Sequence, residues 1–122
     1  LWALMDTGKL SGKVKQGLED NRLSVFVSSI SFWEISLKSS LGKLDLDGIS
    51  PEQLPEYCTR VGFELLPLSP ALCASYHLLT AQHHRDSFDR MLIWQAIQSG
   101  CILISKDHNF QAYGDSGLKV LW

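Results

Sequence analysis

Cysteine is scarce in this chain: Cys58, Cys73 and Cys101 are odd in number, widely separated and without C-x-x-C spacing. That excludes a disulfide framework and a zinc site built on cysteine pairs, and makes a reducing cytoplasm the natural setting. Long apolar runs are missing as well. The opening Leu1-Trp2-Ala3-Leu4-Met5-Asp6 meets charge within six residues, so it reads neither as a signal peptide nor as a membrane span, and no membrane partner is expected. There is no excess of one charge. With a net charge of −2, no broad field draws the molecule onto nucleic acid, and any such contact must use a local patch. Internal repeats, low-complexity tracts and linkers are absent too, so residues 1–122 read as one domain.

What is present suits a globular protein. The 122 residues are 45% hydrophobic and 20% charged, enough to bury about two-thirds of the surface the unfolded chain exposes without a staple of disulfide or metal. Two apolar runs, residues 24–28 (SVFVS) and 101–105 (CILIS), read as strands buried on both faces. Residues 63–67 and 118–121 are weaker strand candidates, the first limited by Pro67. Helical patterns fill 11–20, 32–41, 51–61, 70–81 and 87–99. Ser50-Pro51 and Ser69-Pro70 each set a cap before a proline at the first helical position, and Gly42, Gly62 and Gly100 stand where helices should end. Strands alternating with helices predict a three-layer α/β fold with a mostly parallel sheet, its working site beyond the carboxyl ends of the strands.

Four carboxylates stand out. On a helical wheel Phe88, Leu92, Ile93, Ala96 and Ile97 form one apolar arc with Asp89 in its middle. A buried carboxylate needs a metal, a cation or several donors around it; helix-dipole and N–H contacts, or pairing with Arg85 or Arg90, would serve equally. Asp86, just ahead of the same helix, has the position of an N-cap. Glu34 follows the first strand; it has capping-box spacing from Ser31 and i, i+4 spacing to Lys38, both of which are structural roles. Asp107 follows the second strong strand, where it can cap a short turn. A parallel sheet could bring Glu34, Asp89 and Asp107 to one rim, and converging carboxylates suit Mg²⁺ or Mn²⁺.

The stretch of residues 28–38, of the form S-x-x-S-x-W-E-I-x-x-K, resembles proteins of the PIN domain family, of the type found as VapC toxins in bacterial VapBC toxin–antitoxin pairs. So do His84-Arg85-Asp86-x-Phe88-Asp89-Arg90-x-Leu92-Ile93-x-Gln95-Ala96 and Ile104-Ser105-x-Asp107-x-x-Phe110-x-x-Tyr113-Gly114. The resemblance covers nearly the whole chain in order. It implies a parallel sheet between helices and a metal-dependent endoribonuclease that hydrolyses structured RNA with Mg²⁺ or Mn²⁺. Carried over residue by residue, Glu34 and Asp89 would be metal ligands, Asp107 a further acidic ligand or water-mediated partner and Asp86 a secondary acidic residue, while Lys38, Arg85 and Arg90 would contact RNA phosphate or serve in surface salt bridges. The implied partners are RNA, a cognate antitoxin covering the acidic site, and a second copy of the chain.

The family usually opens with a central strand ending in Asp-Thr, followed by a helix start like Leu1-Trp2-Ala3-Leu4. The chain begins inside that helix start, and Asp6-Thr7 stands too late to replace the pair. The expectation is therefore a missing first strand and metal-binding aspartate, rearranged strand pairing or self-association, and impaired turnover. Two other readings compete. An HD-type phosphohydrolase would use His83, His84 and Asp86, but such enzymes are all-helical. A module that binds antitoxin or RNA without cutting would keep the surface and lose the chemistry. Trp33 and Trp94 are expected in the core or a dimer contact, and Tyr57 and Tyr76 in packing.

Overall fold

A serine hydroxyl or aspartate carboxylate closes the start of nearly every helix, and a glycine closes most of the ends. The structure, a computed structural model, describes residues 11–20, 22–80 and 86–122. They belong to two compact units, one of Ser24–Leu68 and one of Leu1–Leu23 with Ser69–Trp122.

In the unit of Ser24–Leu68, strand β1 (Phe26–Ser28) runs into helix α2 (Ser29–Ser40) without a loop. Ser28 makes this possible, its Oγ accepting the Ile30 N–H at 3.1 Å as an N-cap. A single 3₁₀ turn (Pro51–Gln53) leads into α3 (Leu54–Arg60), and β2 (Glu64–Leu66) follows. At the end of α3, Gly62 takes φ +93, and the Phe63 N–H reaches back to the Cys58 carbonyl at 2.9 Å. That left-handed turn suits glycine and redirects the chain straight into β2. β1 and β2 pair in parallel, Phe26 opposite Glu64 and Ser28 opposite Leu66. Ile30, Leu46, Leu54 and Cys58 are the buried apolar residues of this unit.

The other unit contains α1 (Gly12–Glu19), α4 (Pro70–Ser75) continued by a 3₁₀ turn (Tyr76–Leu78), α5 (Ser87–Ser99), β3 (Ile102–Ile104), a longer 3₁₀ helix (His108–Ser116) and β4 (Lys119–Leu121). Ser11 caps α1 through the Val14 N–H at 3.2 Å, and Ser69 caps α4 through the Leu72 N–H at 3.0 Å. Gly100, at φ +67, ends α5 and releases β3 as Gly62 releases β2, with the Cys101 N–H on the Ala96 carbonyl at 3.0 Å. β3 and β4 pair in parallel, Ile102 opposite Lys119 and Ile104 opposite Leu121. One apolar cluster holds the unit: Leu79, Ile93, Trp94, Ala96, Phe110, Tyr113 and Leu118, with Leu103 and Val120 of the strands packed against it.

The fold is α/β, with parallel strand pairs and flanking helices, as expected. Several expectations need correction. The strands group as β1–β2 and β3–β4, and no strand joins the pairs among the described residues. β1 and β3 are not buried on two faces: Phe26 is 43% exposed, Ile102 58% and Ile104 40%, and among the described residues each of these strands has a single paired neighbour. Helix α2 starts at Ser29 rather than Phe32, so Ser31 and Glu34 form no capping box; the hydroxyl of Ser28 has already closed the start. In α5 the buried run is Ile93, Trp94, Gln95 and Ala96, while Phe88, Leu92 and Ile97 are only half-buried. Of the two tryptophans expected in the core or a dimer contact, Trp94 is in the core and Trp33, 61% exposed, is outside it. The three cysteines are free thiols. No helix among the described residues is long and apolar enough to cross a membrane. The expected absence of a first strand concerns the N terminus, which lies outside the described residues.

Candidate functional site

Three of the candidate carboxylates stand at the starts of two helices in one unit. Asp86 is the N-cap of α5: its Oδ1 accepts the N–H of Phe88 at 2.8 Å and of Asp89 at 3.3 Å. It is exposed and acts as the cap its position suggested. Asp89 follows in the first turn, where the partial positive charge of the helix start favours a carboxylate. It is half-buried, one turn ahead of the fully buried Ile93 and two ahead of Ala96. The inward direction read from the wheel is therefore partly realised.

Asp107 begins the 3₁₀ helix just beyond β3. Its backbone N–H donates to Ser105 Oγ at 3.1 Å, and its Oδ1 accepts the Asn109 N–H at 2.9 Å. Two local bonds thus hold the residue half-buried at the carboxyl end of the strand.

Arg90 links the first turn of α5 to the later part of that 3₁₀ helix. Its Nε–H donates to Tyr76 Oη at 2.8 Å, Nη2 to the Leu79 carbonyl at 2.8 Å and Nη1 to Tyr113 Oη at 3.4 Å. The guanidinium also lies over the Tyr76 ring, 5.5 Å from its centroid. Burial works against its charge, but the hydroxyls of Tyr76 and Tyr113 outweigh that and hold its pKa above the ordinary arginine value. A few residues along the helix, Trp94 Nε1 donates to Ser75 Oγ at 3.0 Å. Helix α5 is therefore fastened to the segment before it at two levels.

Glu34 lies in the other unit, more than a turn into α2. Its Oε2 accepts from Lys38 Nζ at 3.0 Å, with the glutamate side chain 20% exposed and the lysine 50%. The i, i+4 spacing is thus satisfied as a surface ion pair. Arg85, His83 and His84 lie outside the described residues. Asp86, the other residue of the HD-type alternative, caps a helix, and the strands contradict the all-helical fold that alternative requires.

Carboxylate oxygens are the donors a hard divalent ion takes. No group of three or more His, Cys, Asp or Glu side chains able to hold a metal occurs among the described residues. What the geometry does link, through Arg90 and Tyr113, is the first turn of α5, which carries Asp89, to the 3₁₀ helix that Asp107 caps, six residues beyond that cap. Reading the sequence assigned Arg90 to phosphate or a surface salt bridge and missed both tyrosines as its partners. Tyr113 stands in the F-x-x-Y-G motif and is fully buried, and a buried tyrosine needs a partner for its hydroxyl; that was the available signal.

Among family profiles, that of the PIN domain matches residues 1–116. A search of curated proteins gave no match.

Proposed function

The chain belongs to the PIN domain family, and from that premise we propose that it is a metal-dependent endoribonuclease of the toxin type, the VapC-like member of a toxin–antitoxin pair. The match over residues 1–116 carries this reading. The positions of Asp89 in the first turn of α5 and Asp107 at the carboxyl end of β3 support it, since working sites of parallel sheets lie at such ends. Glu34, Asp89 and Asp107, with Asp86 nearby, would hold Mg²⁺ or Mn²⁺, whose chemistry when bound is to polarise a phosphodiester and acidify a water. The protein's own contribution is to place Asp86, Asp89 and Asp107 at helix starts, where the helix dipole favours a carboxylate.

In this reading Lys38 and Arg85 contact RNA phosphate, while Arg90 is engaged inside its unit. The partners are RNA, a cognate antitoxin over the acidic side chains and a second copy of the chain, and the setting is the cytoplasm. The whole chain acts as one PIN domain.

The test is cleavage of a mixed RNA pool with Mg²⁺ or Mn²⁺ by four proteins: the chain, a version carrying an apolar strand ending in Asp-Thr ahead of Leu1, and the Asp89→Asn variant of each. Cleavage by the parent or the lengthened protein, abolished by Asp89→Asn in the same background, supports the nuclease. If neither cuts but RNA or antitoxin is still bound, regardless of metal, the chain is a binding module and the nuclease reading fails.

A further inference from the structure

We propose that Arg90 is a positioning residue that sets the carboxylates of Asp89 and Asp107 relative to one another. The inference rests on the nuclease reading only for what the two carboxylates do; the positioning itself follows from geometry. Arg90 is the residue next to Asp89 in the first turns of α5, so fixing its side chain fixes the backbone from which Asp89 projects. Two short hydrogen bonds, to Tyr76 Oη and the Leu79 carbonyl, tie that turn to the segment before it. The longer one, to Tyr113 Oη, reaches the 3₁₀ helix that Asp107 caps, six residues beyond the cap. Tyr113 is fully buried, so the far end of this link has no room to swing.

A guanidinium is suited to this task because its donors leave one rigid plane in several directions. A lysine ammonium keeps the charge but cannot span three acceptors in that geometry. Charge alone therefore does not perform the role, and this separates positioning from simple electrostatic support. Asp86 adds a second restraint from the other side of the turn by holding the N–H groups of Phe88 and Asp89. The first turn of α5 is thus fixed by a carboxylate at its cap and a guanidinium within it.

The experiment uses the full chain, isotopically labelled, with Arg90→Met, Arg90→Lys, Tyr76→Phe and Tyr113→Phe. Three-bond couplings report the χ1 angles of Asp89 and Asp107. The parent should show a single χ1 rotamer at both; Arg90→Met should average Asp89, Arg90→Lys should fail to restore it, and Tyr113→Phe should average Asp107. An averaged Asp89 in the parent, unchanged couplings in Arg90→Met, or full rescue by lysine would overturn the proposal. Should Arg90→Met not fold, the two tyrosine variants decide, and unchanged couplings in both overturn it. In RNA cleavage, kcat should fall about 100-fold in Arg90→Lys with KM for RNA unchanged, the signature of a misplaced reacting group. If neither the parent nor the lengthened protein cuts RNA, the nuclease reading fails and the coupling result still stands.

Discussion

The two units are held in different ways. In the unit containing Ser69–Trp122, one cluster from Leu79 to Leu118 surrounds α5, and its arginine, Arg90, is spent on internal oxygens. In the unit of Ser24–Leu68, four buried apolar residues serve two short strands and two helices, and the charged side chains pair along helix surfaces, Lys38 with Glu34 and Arg60 with Glu56. The first arrangement ties elements to one another. The second mainly supports each helix by itself, and exposed ion pairs of that kind contribute little.

Core truncation should separate the units most. Ile93→Ala, at a fully buried position, should cost about 4 kcal/mol of unfolding free energy, and Leu54→Ala about 2 kcal/mol, both within the range for large-to-small core changes. Urea unfolding checks this, and equal losses would break the contrast. The arginines sharpen it next. Arg90→Met should cost about 2 kcal/mol, as expected for hydrogen bonds to a charged group, whereas Arg60→Met, at the exposed pair with Glu56, should stay within about 0.5 kcal/mol. The smallest difference lies in the caps. Asp86→Ala and Ser28→Ala should each cost about 1 kcal/mol, and because both side chains accept the N–H two residues on, a large disparity would show that one carries more than its helix.

Much of this fold is legible in the sequence. Ser87–Ser99 forms the helix its periodicity predicts, with the expected Asp86 cap and Gly100 end. Ser69-Pro70 and Ser50-Pro51 both open helical turns, although the second opens as 3₁₀. The misses share a physical cause. Whether an apolar strand such as Cys101-Ile102-Leu103-Ile104 is covered on one face or two depends on neighbours distant in sequence, and local composition does not encode them. The start of α2 was missed by three residues because both Ser28 and Ser31 could cap it, and the choice fell to the one at the end of a paired strand.

The candidate site was legible residue by residue but not as a constellation. Asp86, Asp107 and Glu34 each carry a structural reading beside the metal-binding one, and the structural part is realised: Asp86 and Asp107 cap, and Glu34 pairs with Lys38. The Arg90 clamp was not foreseen. Its partners are two tyrosines and a carbonyl from three places in the chain, and no spacing rule connects them. Polar side chains that bridge tertiary neighbours leave a weaker trace in sequence than caps do, because a cap's donor and acceptor lie within a turn of one another.

The two parallel pairings also differ in what they ask of the chain as it assembles. β1 meets β2 by joining residue 26 to residue 64, whereas β3 meets β4 by joining 102 to 119. Closing a loop costs configurational entropy that grows with the logarithm of the enclosed length, so the second closure is cheaper by about 0.7 kcal/mol. Its crossover is also largely filled by the 3₁₀ helix that Asp107 starts. The C-terminal pairing is thus nearly a local event, and the chain brings its most extensive cluster together around the shorter of its two journeys.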